Sequence, residues 1–277
     1  MNKRALNDDY RALKSNLSIN CKECTGLCCV ALYFSKSDGF PENKKAGKPC
    51  VNLNNNFTCN IYAQLESNGL KGCIAYDCFG AGQKVTHEWK TKGAWNTNNS
   101  IKQDIFKSFE INQLLNQIMW YLLDAYTICD ESELTMINQL IRENINYSKK
   151  EVYDLLTSDI ESYRNRVNIE LKQLTSNLAK QSKTKIVSKF QFEKDYSNQD
   201  ISYMNFTMTY LIGSKLEGCK AHYTNFLGTD LRDVSIKNTD LSESIFLTQF
   251  QVNSMLGDVH TKLPEGLTYP IQWSYHK

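Results

Sequence analysis

The sequence has little that would suit a membrane, a nucleic acid or export. No apolar run approaches the roughly 20 residues that cross a bilayer, and the longest, at positions 118–123, is followed by Asp124. The formal net charge of +2 is too small to attract nucleic acid or an anionic membrane. The opening stretch MNKRALNDDYRALKSNL lacks the apolar core of a secretory signal. We therefore expect a cytoplasmic protein with no nucleic-acid or membrane partner.

Common catalytic motifs are also missing. The chain has no Walker-type loop, no HExxH and no GxSxG. Gly80-Ala81-Gly82 lacks the third glycine of a dinucleotide-binding loop, and we expect it to be a turn. Histidine is scarce, and the residue nearest to the cysteines described next, His87, is expected at the surface.

Cysteine, in contrast, is plentiful and unevenly placed. Eight of the ten cysteines lie between positions 21 and 78. They are Cys21, Cys24, Cys28, Cys29, Cys50, Cys59, Cys73 and Cys78. Because cytosolic thiols are normally reduced, such a cluster more often indicates metal or redox chemistry than disulfides. From the residues alone, metal ligands, a disulfide framework and unligated thiols all stay open, and we favour metal ligands.

The spacing at the start of the cluster suits metal binding. Cys21 and Cys24 form a Cys-x2-Cys step, which is a common chelating turn. Four thiolates complete a tetrahedral zinc site or hold an iron–sulfur cluster. Cys28 and Cys29 are adjacent and project in different directions, so they need not bind the same ion.

Residues 18–85 resemble the zinc- or iron-chelating cysteine-cluster family. The resemblance rests on a C-x2-C-x3-CC opening, a later cysteine, a Cys-x-Ile-Tyr step at 59–62 and a final cysteine pair. The chain departs from the family at Ala63-Gln64, where Arg-Pro often follows the tyrosine. The resemblance implies that a subset of the eight clustered cysteines holds zinc or iron, the latter as an ion or an iron–sulfur cluster. Cys21, Cys24, Cys28 and Cys29 rank first as ligands, and the other four follow closely. The resemblance names neither the metal nor a reaction.

Composition divides the chain into three predicted domains, at 1–100, 101–185 and 186–277. The first is rich in cysteine and loops, and a metal is expected to staple it. The second has no glycine or proline up to residue 183, and its apolar spacing predicts helices at 102–127, 131–144 and 149–181. Ser148 and Glu151 fit a capping box at the start of the last helix.

The third segment carries a repeat of five residues. Every fifth residue from Phe206 is apolar: Phe206, Leu211, Leu216, Ala221, Phe226, Leu231, Ile236, Leu241 and Phe246. The residues two positions earlier are mostly small, and Cys219 is one of them. Neither a helix nor a strand has a period of five, whereas a square coil with four five-residue sides does.

Residues 201–248 therefore resemble the pentapeptide-repeat family, which implies a right-handed quadrilateral β-helix. The expected fold class is α+β: a metal-stapled cysteine-rich module, central antiparallel helices and a short β-helix. Some members of that family imitate DNA, but five acidic and four basic residues between 206 and 246 do not reproduce the charge of a duplex.

Three hypotheses for the function follow. We favour a metal-binding protein whose repeat is a scaffold or docking surface for a protein or peptide partner. The first alternative is an enzyme that uses iron or an iron–sulfur cluster on a peptide or small molecule. The second is an interaction protein in which zinc is purely structural. The sequence does not specify the oligomeric state.

Overall fold

The structure is a computed structural model, and it describes residues 3–181 and 187–274. Nine α-helices lie in these residues. They are α1 (Asp8–Ser15), α2 (Leu27–Ala31), α3 (Lys71–Ala75), α4 (Ala81–Trp89), α5 (Lys102–Ile128), α6 (Glu131–Ser148), α7 (Val152–Leu156), α8 (Ile160–Gln181) and α9 (Gln249–Ser254). None of these nine combines the length and the apolar character needed to cross a membrane.

The chain divides into two compact units. The first consists of Met1–Cys73 and Asp77–Asn168, and the second of Ile74–Tyr76 and Ile169–Lys277. All eight clustered cysteines and helices α4 to α7 therefore belong to the first unit. The finer division into three domains stays a prediction.

Helix α5 is the centre of the first unit. It is 27 residues long, and α4, α6 and α7 pack against it. Phe109, Leu115 and Leu122 are completely buried along it, so tertiary packing stabilises this helix more than intrinsic propensity does. Asn144 of α6 donates from Nδ2 to the carbonyl oxygen of Leu115 at 3.0 Å, which satisfies a buried amide.

The prediction of one continuous helix at 149–181 is wrong. Two helices, α7 and α8, occupy this segment, and residues 157–159 separate them. The hydroxyl groups of Thr157 and Ser158 donate to the carbonyl oxygen of Asp154 at 3.2 and 2.7 Å. Such bonds compete with the helical pattern and favour its termination. By contrast, α5 ends within one residue of its predicted boundary.

The capping box predicted at Ser148 and Glu151 is also wrong. Ser148 is the last residue of α6, and no side chain caps α7. The capping box of this region lies at the start of α6, where Asp130 and Glu133 each accept a hydrogen bond from the other's backbone N–H.

The α+β class with a C-terminal β-helix is wrong. No β-strand occurs in residues 3–181 and 187–274, and the regular structure there is helical. Residues 190–245, which we call the repeat coil, consist of turns joined by isolated parallel bridges twenty residues apart, such as Tyr210 with Asp230. Each group of five uses two residues for a turn and only one for a bridge, so no side becomes long enough to be a strand.

The interior of the repeat coil follows the period of five. The nine apolar residues listed above are all at most 2% exposed. Phe206 stacks on Phe226, with ring centroids 5.8 Å apart. The small residues are inside as well: the hydroxyl of Thr224 donates to the carbonyl oxygen of Ile201 at 2.9 Å, which joins neighbouring coils. Cys219 occupies one of these small positions and is buried.

The turns impose the same period on the backbone. From Glu193 to Asn238, every fifth residue has a φ between 53° and 70°. Glycine occupies three of these ten positions, Gly213, Gly218 and Gly228, because it adopts this conformation without a Cβ clash.

The repeat coil begins earlier than the sequence pattern indicates. Its bridges start at Phe190, where the interior positions are Gln191 and Tyr196, whose side chains hydrogen-bond at 2.8 Å. Because these interior residues are polar, the first repeats do not show the apolar five-residue pattern in the sequence. At the other end, Gln251 of α9 donates from Nε2 to the carbonyl oxygen of Phe226 at 2.9 Å, which closes the coil.

Replacing Phe226 by alanine tests the inward packing. We expect the free energy of unfolding to fall by about 3–5 kcal/mol, because the change removes a buried ring and leaves a cavity. Urea unfolding followed by circular dichroism measures the loss. Met208, which is 56% exposed, offers the control, and Met208→Ala should change stability by less than about 0.5 kcal/mol. Equal losses in both variants would contradict the inward packing.

Candidate metal centre

The eight clustered cysteines lie on short helices and turns of the first unit. Cys28 and Cys29 are in α2, Cys73 is in α3, and Cys78 precedes the turn that starts α4. Cys21 begins a short 3-10 helix (Cys21–Glu23), and Cys24, Cys50 and Cys59 lie in the connecting segments. All ten cysteines belong to the described residues, and all are free thiols.

Four of the thiols line one small cavity. Its walls include Cys21, Cys24, Cys28 and Cys78, together with Gly82 of α4 and Phe109 of α5. The cavity has a volume of about 20 Å³, which is room for roughly one water molecule or small ion. We call these four cysteines the first thiol group.

The start of α4 packs directly against two of these sulfurs. A Cβ atom on Gly82 would lie 2.7 Å from Sγ of Cys24 and 3.7 Å from Sγ of Cys78. Any larger residue would have to displace the Cys24 sulfur, so a glycine permits this close packing. Gly80-Ala81-Gly82 is thus more than the expected turn, because it forms the N-terminal end of a helix beside the thiols.

Hydrogen-bond donors surround the sulfur of Cys24. Burial raises the pKa of this thiol, while donation from the backbone N–H groups of Leu27 and Gly26 and from the hydroxyl of Thr86 acts against that rise. The Thr86 oxygen itself accepts a hydrogen bond of 3.0 Å from the N–H of Thr25. Because burial outweighs these donors, the pKa of the Cys24 thiol is raised, and a bound cation would be needed to favour the thiolate.

Cys78 has a similar environment. Burial raises the pKa of its thiol to about 12, and the backbone N–H groups of Gly82 and Gly80 oppose the rise. At neutral pH this thiol is therefore protonated when no cation is bound. A bound cation would favour the thiolate, which these N–H donors would then stabilise.

A buried carboxyl group adjoins the first thiol group. Asp77 is 4% exposed, and burial raises its pKa to about 6. Its Oδ1 accepts a hydrogen bond of 2.7 Å from the N–H of Phe79. Its negative charge raises the pKa values of the Cys21 and Cys78 thiols. Asp77, Gly82 and Thr86 were not predicted from the sequence to adjoin the thiols, and the only hint was the glycine-rich segment after Cys78.

The other clustered cysteines, Cys29, Cys50, Cys59 and Cys73, do not line this cavity. His87 lies exposed on α4, as expected, and His222 and His260 are exposed as well. His276 lies outside the described residues. The potential metal ligands at the cavity are therefore cysteine sulfurs, and the carboxyl group of Asp77 lies next to them.

The thiols are not gathered as a finished metal site. Within the described residues, no group of three His, Cys, Asp or Glu side chains is arranged to hold an ion. The donor set nevertheless fits a thiophilic ion, because four thiols share one cavity and N–H donors surround two of the sulfurs. Binding would require the sulfurs to close in from these positions.

Comparisons with known proteins place the chain in a family. Residues 209–246 match the model for pentapeptide repeats, in eight copies. The chain is 36% identical over 282 residues to the uncharacterized protein YybG of Bacillus subtilis (strain 168), and the match covers 93% of this chain and 95% of YybG. The chain belongs to the YybG family. No solved structure matches it.

The match to the repeat model confirms the predicted pentapeptide repeats. The resemblance of residues 18–85 to the cysteine-cluster family stays a prediction.

A methyl group at position 82 tests the packing of α4 on the thiols. We expect Gly82→Ala to expose Cys24, because the new Cβ would lie 2.7 Å from its sulfur and would displace it. Iodoacetamide alkylation of the metal-free chain, followed by peptide mass spectrometry, should show Cys24 reacting several times faster than in the unmodified chain. The thiol of Cys219, which is buried in the second unit, is the internal control, and its rate should not change. An unchanged Cys24 rate in Gly82→Ala would argue against this packing.

Proposed function

We propose that this chain is a metal-binding protein whose first thiol group holds a zinc or iron ion. The observation that carries the proposal is the shared cavity of Cys21, Cys24, Cys28 and Cys78, with N–H donors directed at two of the sulfurs. Thiolates are ligands that both metals accept, and four of them complete a tetrahedral site.

A site completed by four thiolates supports a structural role for the ion. Catalytic zinc sites keep one position open for water or substrate, whereas structural sites are closed. The segment around the cysteines consists of short helices and turns, and such segments usually need a staple. The ion would hold the loop of Cys21 and Cys24, helix α2 and the start of α4 together.

The pentapeptide repeats supply a scaffold, and we propose that it presents a surface to a protein or peptide partner. Phe190, Phe192 and Tyr210 support this proposal. The ring of Tyr210 stacks on those of Phe190 and Phe192, and the three residues are 36%, 61% and 51% exposed, respectively. Exposed groups of large apolar side chains often mark interaction surfaces.

Metal analysis of the chain purified without oxygen tests the proposal. We expect bound zinc or iron, and Cys24→Ser and Cys78→Ser should each lower the metal content by one ion per chain. Cys219→Ser is the control, because Cys219 is buried in the second unit. The visible spectrum identifies the metal, since thiolate-bound iron absorbs and zinc does not. A chain without any metal would contradict the proposal.

Metal affinity should rise with pH. The ion has to displace protons from thiols such as Cys78, whose pKa burial raises to about 12, so fewer competing protons mean tighter binding. Competition of the chain with a coloured zinc chelator between about pH 6 and about pH 8 measures this dependence. Cys219→Ser is the control and should keep the same dependence, because Cys219 lies in the second unit. An affinity independent of pH would contradict binding by these thiols.

A further inference from the structure

We propose that the other four clustered cysteines form a second thiolate site for zinc or iron, beside Lys44, and that Cys28 and Cys29 belong to different sites. This second thiol group consists of Cys29, Cys50, Cys59 and Cys73. The inference rests on the proposed function, because it too assumes that the chain binds ions through thiolates.

Backbone hydrogen bonds bring three members of the second thiol group together. The N–H of Cys50 donates to the carbonyl oxygen of Cys29 at 2.9 Å. The N–H of Leu53 donates to the carbonyl oxygen of Cys50 at 3.0 Å, and Leu53 forms an isolated antiparallel bridge with Cys59. These contacts join the loop that carries Cys50 and Cys59 to helix α2.

An apolar cluster connects Cys73, the fourth member of the second thiol group, with Cys50. Cys50 and Cys73 both pack against the buried side chains of Phe34, Phe40 and Leu70. The rings of Phe34 and Phe40 stack with centroids 4.9 Å apart. Thiols against such a wall are partly shielded from water, which strengthens the attraction between thiolates and a cation.

Lys44 brings a positive charge to the second thiol group. Its Nζ donates to the carbonyl oxygens of Val30, at 2.8 Å, and Leu32, on either side of the end of α2. The ammonium group interacts electrostatically with the thiols of Cys29, Cys50 and Cys73, and also with the adjoining thiol of Cys28. Four thiolates outweigh the charge of one divalent ion, and the ammonium group would offset part of the excess.

The two groups meet at adjacent residues of α2, Cys28 and Cys29. Successive side chains on a helix point about 100° apart, and Cys28 lines the first cavity whereas Cys29 does not. Their Sγ atoms are 4.0 Å apart. A hydrogen bond from Cys28 lowers the pKa of Cys29, burial opposes this, and the charge of Lys44 lowers it further. The eight thiols thus divide into four and four, and each set is enough for one tetrahedral ion.

Native mass spectrometry of the full chain loaded with zinc tests the division. We expect two ions in the unmodified chain, one in Cys28→Ser and one in Cys29→Ser. Alkylation of the loaded variants then identifies the site that is left. In Cys28→Ser, Cys50, Cys59 and Cys73 should stay protected while Cys24 and Cys78 react. Cys29→Ser should give the reverse pattern, and Cys129→Ser should keep both ions.

The unmodified chain provides a second measurement that does not depend on how the variants fold. A chelator added in steps, with alkylation at each step, should release the cysteines as two sets of four, with Cys28 and Cys29 in different sets. One ion per chain, or loss of the same set in both serine variants, would overturn the second site and leave the proposed function standing. A chain that binds no zinc would overturn both.

Discussion

The carbonyl oxygen of Phe79 accepts a hydrogen bond of 2.7 Å from Nδ2 of Asn116, inside the first unit. Phe79 follows Cys78 directly and is 2% exposed, with its ring against Trp120 of α5. This anchor fixes the turn at Cys78 to the most buried helix of the unit. The position of α4 follows from it, and so does the approach of Gly82 to the sulfurs of Cys24 and Cys78.

The cysteine-rich segment depends on such anchors because it has few buried residues of its own. Trp95 provides another, since its Nε1 donates to the carbonyl oxygen of Thr25 at 2.8 Å, next to Cys24. Each anchor fixes one loop, whereas an ion held by thiolates from several loops would fix them all at once. This is the physical reason to connect the thiols with stability rather than with a reaction.

Much of the second unit could be predicted from the sequence, because its period is a local property. A five-residue group places one large apolar residue inside, and Phe206 and Leu241 are buried accordingly. The prediction failed where polar side chains replace the apolar ones, as at Gln191 and Tyr196, whose mutual hydrogen bond is invisible in the pattern. The prediction of β-strands also failed, because neighbouring coils are joined by bridges of single residues, which are too short to form strands.

The sequence by itself determined that eight thiols crowd into fewer than sixty residues and that a pentapeptide repeat follows them. Spacing along the chain carries that information, since both features are local. Which thiols share a cavity was decided only by the tertiary structure. Cys78 joins Cys24 because α4 packs on α5 and brings Gly82 against both sulfurs. Cys28 lines the same cavity, whereas the adjacent Cys29 does not. Such contacts depend on packing between distant segments, which no spacing of cysteines encodes.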